Sequence, residues 1–261
     1  MIKAMRTAAT GMQAQQMNVD VIANNLANVN TTGFKRSKVE FQDVLYQNMR
    51  RAGSTTAVGA EVPVNLAVGY GTKPVATSRE FSTGDFTITN NPLDLAISGN
   101  GFFQIQMPDG SMAYTRDGAL KLSADGQVVT SDGFQLLPEI TVPEDATSLS
   151  VSIDGEFSVL LAGSDEPQSI GQIELAKFIN PAGLSAVGHN LYNQSGASGS
   201  PILGTPTQDG LGRIDQGHLE LSNVKVVDEM VNMIVAQRAY ELNSKVIQTG
   251  EDMARIINNL R

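Results

Sequence analysis

Two long segments with a helical apolar pattern, one at each end of the 261-residue chain, constrain its fold most. Residues 1–30 and the last 40 or so contain no proline, and their apolar residues recur at spacings of three and four. The first segment predicts a helix roughly 40 Å long, at 1.5 Å per residue. Helices with so narrow a stripe are marginal alone, so each must pack on the other or on another copy of the chain.

The two predicted stripes each contain polar members. A stop at Thr31-Thr32-Gly33 ends the first helix, and Ser222 or Asn223 is expected to cap the second. The first stripe comprises Ile2, Met5, Ala9, Met12, Gln16, Val19, Ala23 and Leu26, and the second Val226, Met230, Met233, Gln237, Tyr240, Ser244, Ile247 and Ala254. Two interpretations stay open: a hairpin that closes one domain, or polymerisation elements whose polar members set the register.

The middle of the chain, about residues 60–218, has the pattern of antiparallel β-structure. Short alternating runs are separated by Asp-Gly pairs, which favour primed hairpin turns. These pairs begin at Asp109, Asp117, Asp125, Asp132 and Asp154. The predicted class is therefore α+β, with terminal helices around a meander, small sandwich or barrel. A calcium site is the minor alternative, because the carboxylates are spread one to a turn.

Composition excludes several classes of chemistry. The chain has no cysteine and no tryptophan, so disulfides, thiolate metal sites and cysteine nucleophiles are ruled out. Its two histidines, His189 and His218, lie in patterns typical of surface residues, and Ser222 with Lys225 forms a Ser-x-x-Lys pair better explained as a helix cap. We therefore predict no cofactor, no metal and no catalytic residue.

Charge is distributed unevenly along the sequence. The net charge of −9 comprises +4 in residues 1–51, −12 in residues 52–218 and −1 in the remainder. An acidic body of this kind disfavours nucleic acid as a partner, and no stretch has the roughly 20 apolar residues of a membrane span. The weakly charged stretches 47–76 and 180–212 are predicted to be linkers or extended excursions, ordered in part by a neighbouring molecule.

Three motifs resemble those of the bacterial flagellar rod and hook proteins. The resemblance is carried by Asn24-Asn25-Leu26-Ala27-Asn28-Val29-Asn30-Thr31-Thr32-Gly33-Phe34-Lys35, by Ser98-Gly99-Asn100-Gly101-Phe102-Phe103, and by the run from Glu220 through Met233 to Ala236-Gln237-Arg238-Ala239-Tyr240-Glu241-Leu242-Asn243. The motifs span nearly the whole chain. The chain is most similar to the distal-rod branch, because a segment from Tyr46 to Gly71 resembles the insertion that separates that branch from the hook proteins.

The resemblance implies a structural subunit of the distal rod that polymerises into a straight, rigid, hollow shaft and transmits torque from motor to hook. It implies an inner tube layer from 1–33 and 222–261, a connecting region from 34–92 and 190–221, and an outer β domain from 93–189. Assembly residues are then Ile2, Met5, Met12, Val19, Asn24, Asn25, Leu26, Asn28, Gly33 and Phe34 in the first helix and its motif, Val226, Met230, Met233, Gln237, Tyr240, Leu242 and Ile247 in the second helix, and Tyr46, Arg50, Arg51, Pro63 and Leu66 in an insertion that confers rigidity.

The same resemblance implies partners and a location. The partners would be other copies of the chain, proximal-rod and hook proteins at the two ends, the surrounding ring bushing and the type III export apparatus. The location would be the flagellar basal body, reached without a cleaved signal, since no apolar run of seven or more follows the basic start. The alternatives are another rod or hook protein of the family, or a secreted β-rich adhesin with helical oligomerisation tails.

Overall fold

Two helices occupy the ends of the chain in the computed structural model, which describes residues 2–53, 63–163 and 166–259. Helix α1 spans Ile2–Ala27 and helix α2 spans Val226–Asn259. After α1 the chain turns through Thr31, whose N–H donates to the carbonyl of Asn28, and reaches Gly33 at a φ of 66°. The predicted stop is thus where the sequence placed it. Neither helix, over these described residues, is long and apolar enough to cross a membrane.

Between the helices, the described residues form short strands, and their pairing is antiparallel wherever a register is defined. This confirms the α+β class and the central antiparallel region. The strands are β1 (Ser37–Asp43), β2 (Tyr46–Arg50), β3 (Leu66–Gly69), β4 (Thr72–Arg79), β5 (Phe86–Ile88), β6 (Leu95–Ser98), β7 (Phe102–Gln106), β8 (Met112–Thr115), β9 (Leu120–Leu122), β10 (Val128–Thr130), β11 (Gln135–Leu137), β12 (Ala146–Val151), β13 (Glu156–Leu161), β14 (Gln168–Gln172), β15 (Leu175–Lys177), β16 (Ser185–Gly188), β17 (Leu191–Asn193), β18 (Ile202–Gly204), β19 (Arg213–Gln216) and β20 (His218–Glu220).

The chain divides into two compact units. The helical unit comprises Met1–Leu26, Ser37–Ser78 and Lys225–Arg261, and the β unit comprises Ala27–Arg36 and Arg79–Val224. In the helical unit β1 pairs with β4 and β2 with β3. The chain therefore passes from one unit to the other after residues 26, 36, 78 and 224.

The β unit is organised around a nine-stranded sheet. Its continuous path runs β16-β17-β8-β7-β11-β10-β9, and β15 joins β7 and carries β18 at its other edge. A three-stranded sheet, β12-β13-β14, and two strand pairs, β19-β6 and β20-β5, complete the unit. The core is continuous across these sheets and includes Leu95, Phe103, Ile105, Leu136, Ile140, Phe157 and Ile173, all at most 1% exposed.

Four of the five Asp-Gly pairs lie in turns between paired antiparallel strands, as their sequence pattern predicts. They connect β7 to β8, β9 to β10, β10 to β11 and β12 to β13. In the first of these turns the N–H of Gly110 donates to the carbonyl of Met107, at a φ of 81° that glycine adopts without strain. Local turn chemistry therefore sets these four connections.

The fifth pair, Asp117-Gly118, does not make a hairpin. The strands on either side, β8 and β9, do not pair with each other; instead the carbonyl of Gly118 accepts from Leu95 N–H at 3.0 Å. A Cβ on Gly118 would lie 1.5 Å from the Leu95 carbonyl oxygen, so this glycine is required by a close backbone approach. The hairpin prediction is wrong here because the backbone of Gly118 bonds to the distant Leu95, whereas a hairpin would pair β8 with β9.

The stretch 180–212 also differs from its expectation. Composition predicted a linker, but this stretch contributes β16 and β17 to the nine-stranded sheet and β18 to its edge at β15. These strands are three or four residues long, so partners elsewhere in the chain rather than their own sequence decide their conformation. In the stretch 47–76, β2 and β3 form a two-stranded ribbon, while residues 54–62 lie outside the described residues.

Candidate assembly surfaces

Helices α1 and α2 pack side by side and antiparallel. The start of α1 meets the end of α2 at Met5 and Gly250, and Gly11 meets Asn243 further along. A Cβ on Gly250 would lie 2.9 Å from Cγ of Met5, and one on Gly11 would lie 3.0 Å from Nδ2 of Asn243. The two glycines therefore let the helices approach closely at these points.

A buried polar contact fixes the other end of the helix pair. The side-chain amide of Asn25 donates to the carbonyl of Ser37 at 2.8 Å and to Oε2 of Glu229 at 3.2 Å, and its oxygen accepts from the Ser37 N–H at 2.9 Å. Asn25 and Glu229 are each 1% exposed. Because buried polar groups need specific partners, this contact allows one register of α1, β1 and α2.

Helix α2 has an apolar face that this contact with α1 does not cover. Its buried residues are Glu229, Ala236 and Gly250. At 100° per residue, Val227, Val231 and Ile234 lie roughly 140–180° around the helix from Ala236. Val227 is 72% exposed and Ile234 57%. We call this surface the outer stripe, and its members are Val227, Val231, Ile234, Val235, Leu242, Val246, Met253 and Ile256, all exposed.

A third face of α2 is polar. It lies between the buried face and the outer stripe, and its exposed members include Gln237, Glu241, Gln248 and Arg255. Glu241 pairs with Arg238 at 3.0 Å on the surface of the helix, and such exposed pairs contribute little to stability. Met230, which is 52% exposed, lies on this face as well, seven residues before Gln237. α2 therefore presents one face to α1, one apolar face and one mainly hydrophilic face.

The β2–β3 ribbon exposes apolar side chains from both strands. Met49 is 65% exposed, Tyr46 57% and Leu66 54%, although each is of a size that is usually buried. The adjoining Leu45 is 82% exposed. Isolated two-stranded ribbons are marginal in water, so the ribbon needs support from outside its own two strands.

Helix α1 provides part of that support. Lys3 donates to Oε1 of Gln47, which also accepts from the hydroxyl of Tyr70 at 3.1 Å. Further along, the N–H of Thr72 reaches the hydroxyl of Thr10, and a Cβ on Gly71 would lie 2.1 Å from that same oxygen. One end of the ribbon is thus fastened to α1, whereas Tyr46, Met49 and Leu66 stay more than half exposed.

The residues predicted for assembly from the first helix and its motif fall into three groups. Ile2 and Asn24 are exposed; Met5, Met12, Val19, Leu26 and Asn28 are half-buried; Asn25, Gly33 and Phe34 are buried. The buried three make contacts within the chain: Gly33 donates its N–H to the Glu220 carbonyl, and a Cβ on Gly33 would lie 2.6 Å from the Asp117 nitrogen. The structure thus gives these three residues an internal packing role.

The residues predicted from the second helix and from the insertion are mostly exposed. In α2, Met233 and Ile247 are half-buried, whereas Val226, Met230, Gln237, Tyr240 and Leu242 are exposed. In the insertion, Tyr46, Arg50, Arg51, Pro63 and Leu66 are all exposed. Most of the outer stripe was not predicted, because the predicted stripe follows only one side of α2; the same spacing of three and four, begun at Val227, leads along the outer stripe.

The residues considered for catalysis have structural partners. The Ser222 hydroxyl accepts from the N–H of Val224 at 3.3 Å, so it stabilises the turn before α2 rather than the first turn of the helix. His218 contacts the carbonyl of Gln216 through Nδ1 at 2.7 Å, and the exposed His189 lies 3.2 Å from Asp132. The cap predicted at Ser222 or Asn223 is corrected, because α2 begins at Val226.

Comparison with known families gives three matches along the chain. Residues 5–35 match the family described as flagella basal body rod protein, and residues 96–159 match the flagellar hook protein FlgE/F/G D1 domain. Residues 215–260 match the flagellar basal body rod FlgEFG protein C-terminal family. These matches cover α1, part of the β unit and α2.

Whole-length relatives agree with these matches. The chain is 51% identical to the flagellar basal-body rod protein FlgG of Borreliella burgdorferi, over 100% of this chain and 99% of the relative. It is 48% identical to FlgG of Caulobacter vibrioides and 39% identical to FlgG of Bacillus subtilis, each over the full length of both chains. The similarity therefore extends through the ribbon and both units.

Proposed function

The chain belongs to the family of flagellar basal-body rod proteins, and we propose that it polymerises as the distal part of the rod, a straight, hollow shaft that transmits torque from motor to hook. The family is structural, and the chain is a rod subunit rather than an enzyme. What needs explanation is how these two units build a stiff tube.

The outer stripe of α2 carries the proposal. It runs from Val227 to Ile256, a distance of roughly 40 Å along the helix, with its apolar side chains in water. Arg238, Lys245 and Thr249 lie among these side chains, and an exposed apolar surface of this extent, rimmed by polar residues, marks an interaction site. We infer that the helices of neighbouring copies cover it, with α1 and α2 of each copy acting as one element of an inner tube layer.

The polar face of α2 is then the face that points into the bore of the proposed tube. If the outer stripe meets neighbouring copies and the buried face meets α1, Gln237, Glu241 and Gln248 are the side chains left to line the bore. A mainly hydrophilic lining, with Met230 as an exposed apolar residue on the same face, keeps the channel hydrated and gives unfolded cargo little apolar surface to adhere to. We propose the layout expected from the sequence, with 1–33 and 222–261 innermost, 34–92 and 190–221 connecting, and 93–189 outermost.

We assign the β2–β3 ribbon to rigidity. Its exposed Tyr46, Met49 and Leu66 would pack between subunits, filling space that would otherwise allow neighbouring copies to slide. Arg50 and Arg51 follow in a segment of net positive charge, whereas residues 52–218 carry −12. Contact with the acidic part of a second copy is therefore electrostatically favourable.

The remaining partners follow from this placement. The ends of the shaft would meet proximal-rod and hook proteins, and its outer β surface would turn inside the ring bushing. Delivery would be through the type III export apparatus to the flagellar basal body. These assignments rest on family membership and on the proposed tube. Each is tested by asking whether the named partner co-purifies with this chain in the assembled basal body.

Assembly through the helices is tested by sedimentation of the full chain beside a version lacking residues 1–30. We expect the full chain to form large particles and the truncated chain to remain small. Because truncation also removes packing on α2, circular dichroism of the β unit must show that the remainder is folded. Polymers of unchanged size from a folded truncated chain would contradict a helix-built tube.

The ribbon assignment is tested by electron microscopy of rods. Removal of residues 47–65 should give rods that bend or that fail to lengthen. A finer variant is Met49→Ser with Leu66→Ser, which keeps the backbone of the ribbon; Val75→Ser on β4 is the matched control, since Val75 is also exposed at 58%. Straight, stiff rods from the deletion variant would disprove the ribbon's role.

A further inference from the structure

A buried ionic cluster in the β unit lies where the chain prepares to leave that unit. We call Lys35, Arg116, Glu220 and Asn223 the Glu220 cluster. The chain passes into the helical unit after residues 36 and 224 and returns after residue 78. Three connecting segments, 33–36, 79–85 and 220–224, therefore adjoin these passages, and the Glu220 cluster has a member or a direct partner in each.

Glu220 is at the centre of this cluster. One carboxylate oxygen accepts from the Lys35 ammonium at 2.6 Å and from the N–H of Gly84 at 2.9 Å, and the other accepts from Nε of Arg116 at 3.0 Å. The side chains of Lys35 and Glu220 are fully buried, and that of Arg116 is 3% exposed. A single carboxylate thus joins all three connecting segments through Glu220 itself, Lys35 and Gly84.

Arg116 extends these bonds into the core of the β unit. Its Nη1 donates to the carbonyls of Gly99 at 2.8 Å and Gly101 at 2.7 Å, and its Nη2 to that of Ile97 at 3.3 Å. These carbonyls flank the turn between β6 and β7. A continuous path of charge-assisted hydrogen bonds therefore runs from the central sheet through Arg116 and Glu220 to the connecting segments.

Asn223 joins the same three segments with one amide. Its oxygen accepts from the N–H of Arg36 at 2.7 Å, and its nitrogen donates to the carbonyls of Glu80 at 2.8 Å and Ser82 at 3.3 Å. The backbone adds a bond between two of the segments, from Glu80 N–H to Arg36 O at 2.9 Å. Both the oxygen and the nitrogen of the Asn223 side chain are therefore hydrogen-bonded.

Buried ions are a costly way to stabilise a fold, because apolar side chains of similar volume often do as well or better. Such groups instead enforce one geometry, since each needs its partners at fixed positions. Resting on the proposed rod function, we propose that the Glu220 cluster, with Asn223 as its most exposed member, holds the three connecting segments as one rigid block that transmits torque. Glu220 and Asn223 are thus positioning residues for load transmission.

The test compares two substitutions of Asn223. Asn223→Asp keeps the acceptor for the Arg36 N–H but replaces the donor facing the Glu80 and Ser82 carbonyls with a second acceptor. Asn223→Ala removes both. Site-resolved amide exchange on the full chain should show the Arg36 N–H losing protection by about tenfold in Asn223→Ala and much less in Asn223→Asp. The reason is that only Asn223→Ala removes the oxygen that accepts from the Arg36 N–H.

The mechanical claim needs a control that lowers stability elsewhere. Ile173→Val removes a methylene from the core of the β unit without touching the connecting segments. We expect rods of Asn223→Ala to bend more than wild-type rods by electron microscopy, and rods of Ile173→Val to stay straight. Equal straightness in the two variants, or unchanged exchange at Arg36, would overturn the proposal.

A second variant serves if Asn223→Ala does not fold. Lys35→Met keeps the Arg116–Glu220 pair and removes only the bonds from Lys35 to Glu220 and to the Ser82 carbonyl at 2.7 Å. Faster exchange confined to residues 80–85 and 33–36 supports the rigid block, and uniform exchange overturns it. Exchange is measured on the unassembled chain, so it can fail independently of rod formation, which sedimentation reports.

Discussion

The two units of this molecule treat their apolar residues in opposite ways. In the β unit, Phe103, Phe157 and Leu136 are completely buried, and the sheets close around them. In the helical unit, α2 leaves Val227 and Leu242 more than 60% exposed, and the β2–β3 ribbon exposes apolar side chains from both strands. The sequence uses similar residue types in both, so composition alone does not distinguish them.

The difference shows where each unit obtains its stability. Burial of apolar area stabilises the β unit within one chain, at roughly 25 cal/mol per Å². The helical unit lacks much of that stabilisation in the single chain, where α2 and the ribbon leave apolar side chains exposed. If, as proposed, the subunit is exported singly and assembled at its destination, this division suits it, because the core of the β unit closes within one chain and the exposed surfaces of the helical unit are left for neighbouring copies.

The largest effect on monomer stability is expected in the core of the β unit. Phe157→Ala removes a fully buried ring and should lower the free energy of unfolding by about 3–5 kcal/mol. Val246→Ala on the outer stripe, where the side chain is 46% exposed, should change it by less than about 0.5 kcal/mol. Urea denaturation measures both. If both variants lost a similar amount of unfolding free energy, the two units would not differ in how their apolar side chains contribute to monomer stability.

The sequence predicted what local chemistry determines. The stop after α1, at Gly33, and the strand turns at Asp109, Asp125, Asp132 and Asp154 were predicted correctly, because the residues at those positions select the backbone conformation. It failed at Gly118, whose partner Leu95 is 23 residues earlier in the chain. It also missed the Glu220 cluster, since Lys35 and Glu220 meet across 185 positions.

The helix faces were predicted only in part for a related reason. Periodicity locates a stripe but not its partner, and α2 carries apolar residues on more than one face. Met233 and Ile247 belong to the half-buried side, whereas Met230 and Leu242, assigned to the same seam or surface, are exposed. The small residues that permit close approach, Gly11 and Gly250, give no periodic signal at all.

An intermediate effect is expected at the polar contact within the helical unit. Asn25→Ala leaves the buried Glu229 carboxylate and both backbone groups of Ser37 without the Asn25 amide, and should cost about 1–3 kcal/mol. Gln13→Ala, at an exposed position of the same helix, is the control and should be near neutral. Thermal unfolding of the full chain distinguishes them. If Gln13→Ala lowered the stability as much as Asn25→Ala, the effect would come from any substitution in α1 and not from the polar contact of Asn25.

A smaller effect that depends on pH is expected at Tyr192. Burial raises the pKa of this phenol above its usual value near 10, although Arg79, which donates to its oxygen at 3.1 Å, opposes the shift. Above about pH 10 the unfolded chain ionises first, so the free energy of unfolding falls as pH rises. Tyr192→Phe lacks this loss. At about pH 8 it should be less stable than wild type by roughly 0.5–1.5 kcal/mol, and the difference should shrink or reverse toward pH 11.

The pH dependence is checked by urea denaturation at several alkaline values. Tyr114→Phe is a useful comparison, because burial also raises the pKa of Tyr114 and the same narrowing is expected there. A stability difference between wild type and Tyr192→Phe that is constant from pH 8 to 11 would show that the Tyr192 phenol ionises equally in both states.

The smallest effect on the monomer should accompany the largest effect on assembly. Ile234→Asp places a charge at the middle of the outer stripe, where the side chain is 57% exposed, so the free energy of unfolding should change by less than about 1 kcal/mol. In the polymer the same carboxylate would be removed from water among the apolar side chains of the outer stripe, and Arg238, one turn away, is already paired with Glu241, so the burial is strongly unfavourable. We therefore expect a folded monomer that forms no rods.

The polar face of α2 provides the matched control for that substitution. Gln248→Asp introduces the same carboxylate at an exposed position on the face assigned to the bore, where it stays hydrated in the assembled tube. Its sedimentation should match that of wild type while Ile234→Asp remains monomeric. If both variants polymerise, the outer stripe is not a subunit interface; if only Gln248→Asp fails, the two faces of α2 have been assigned in reverse, and the apolar stripe lines the bore.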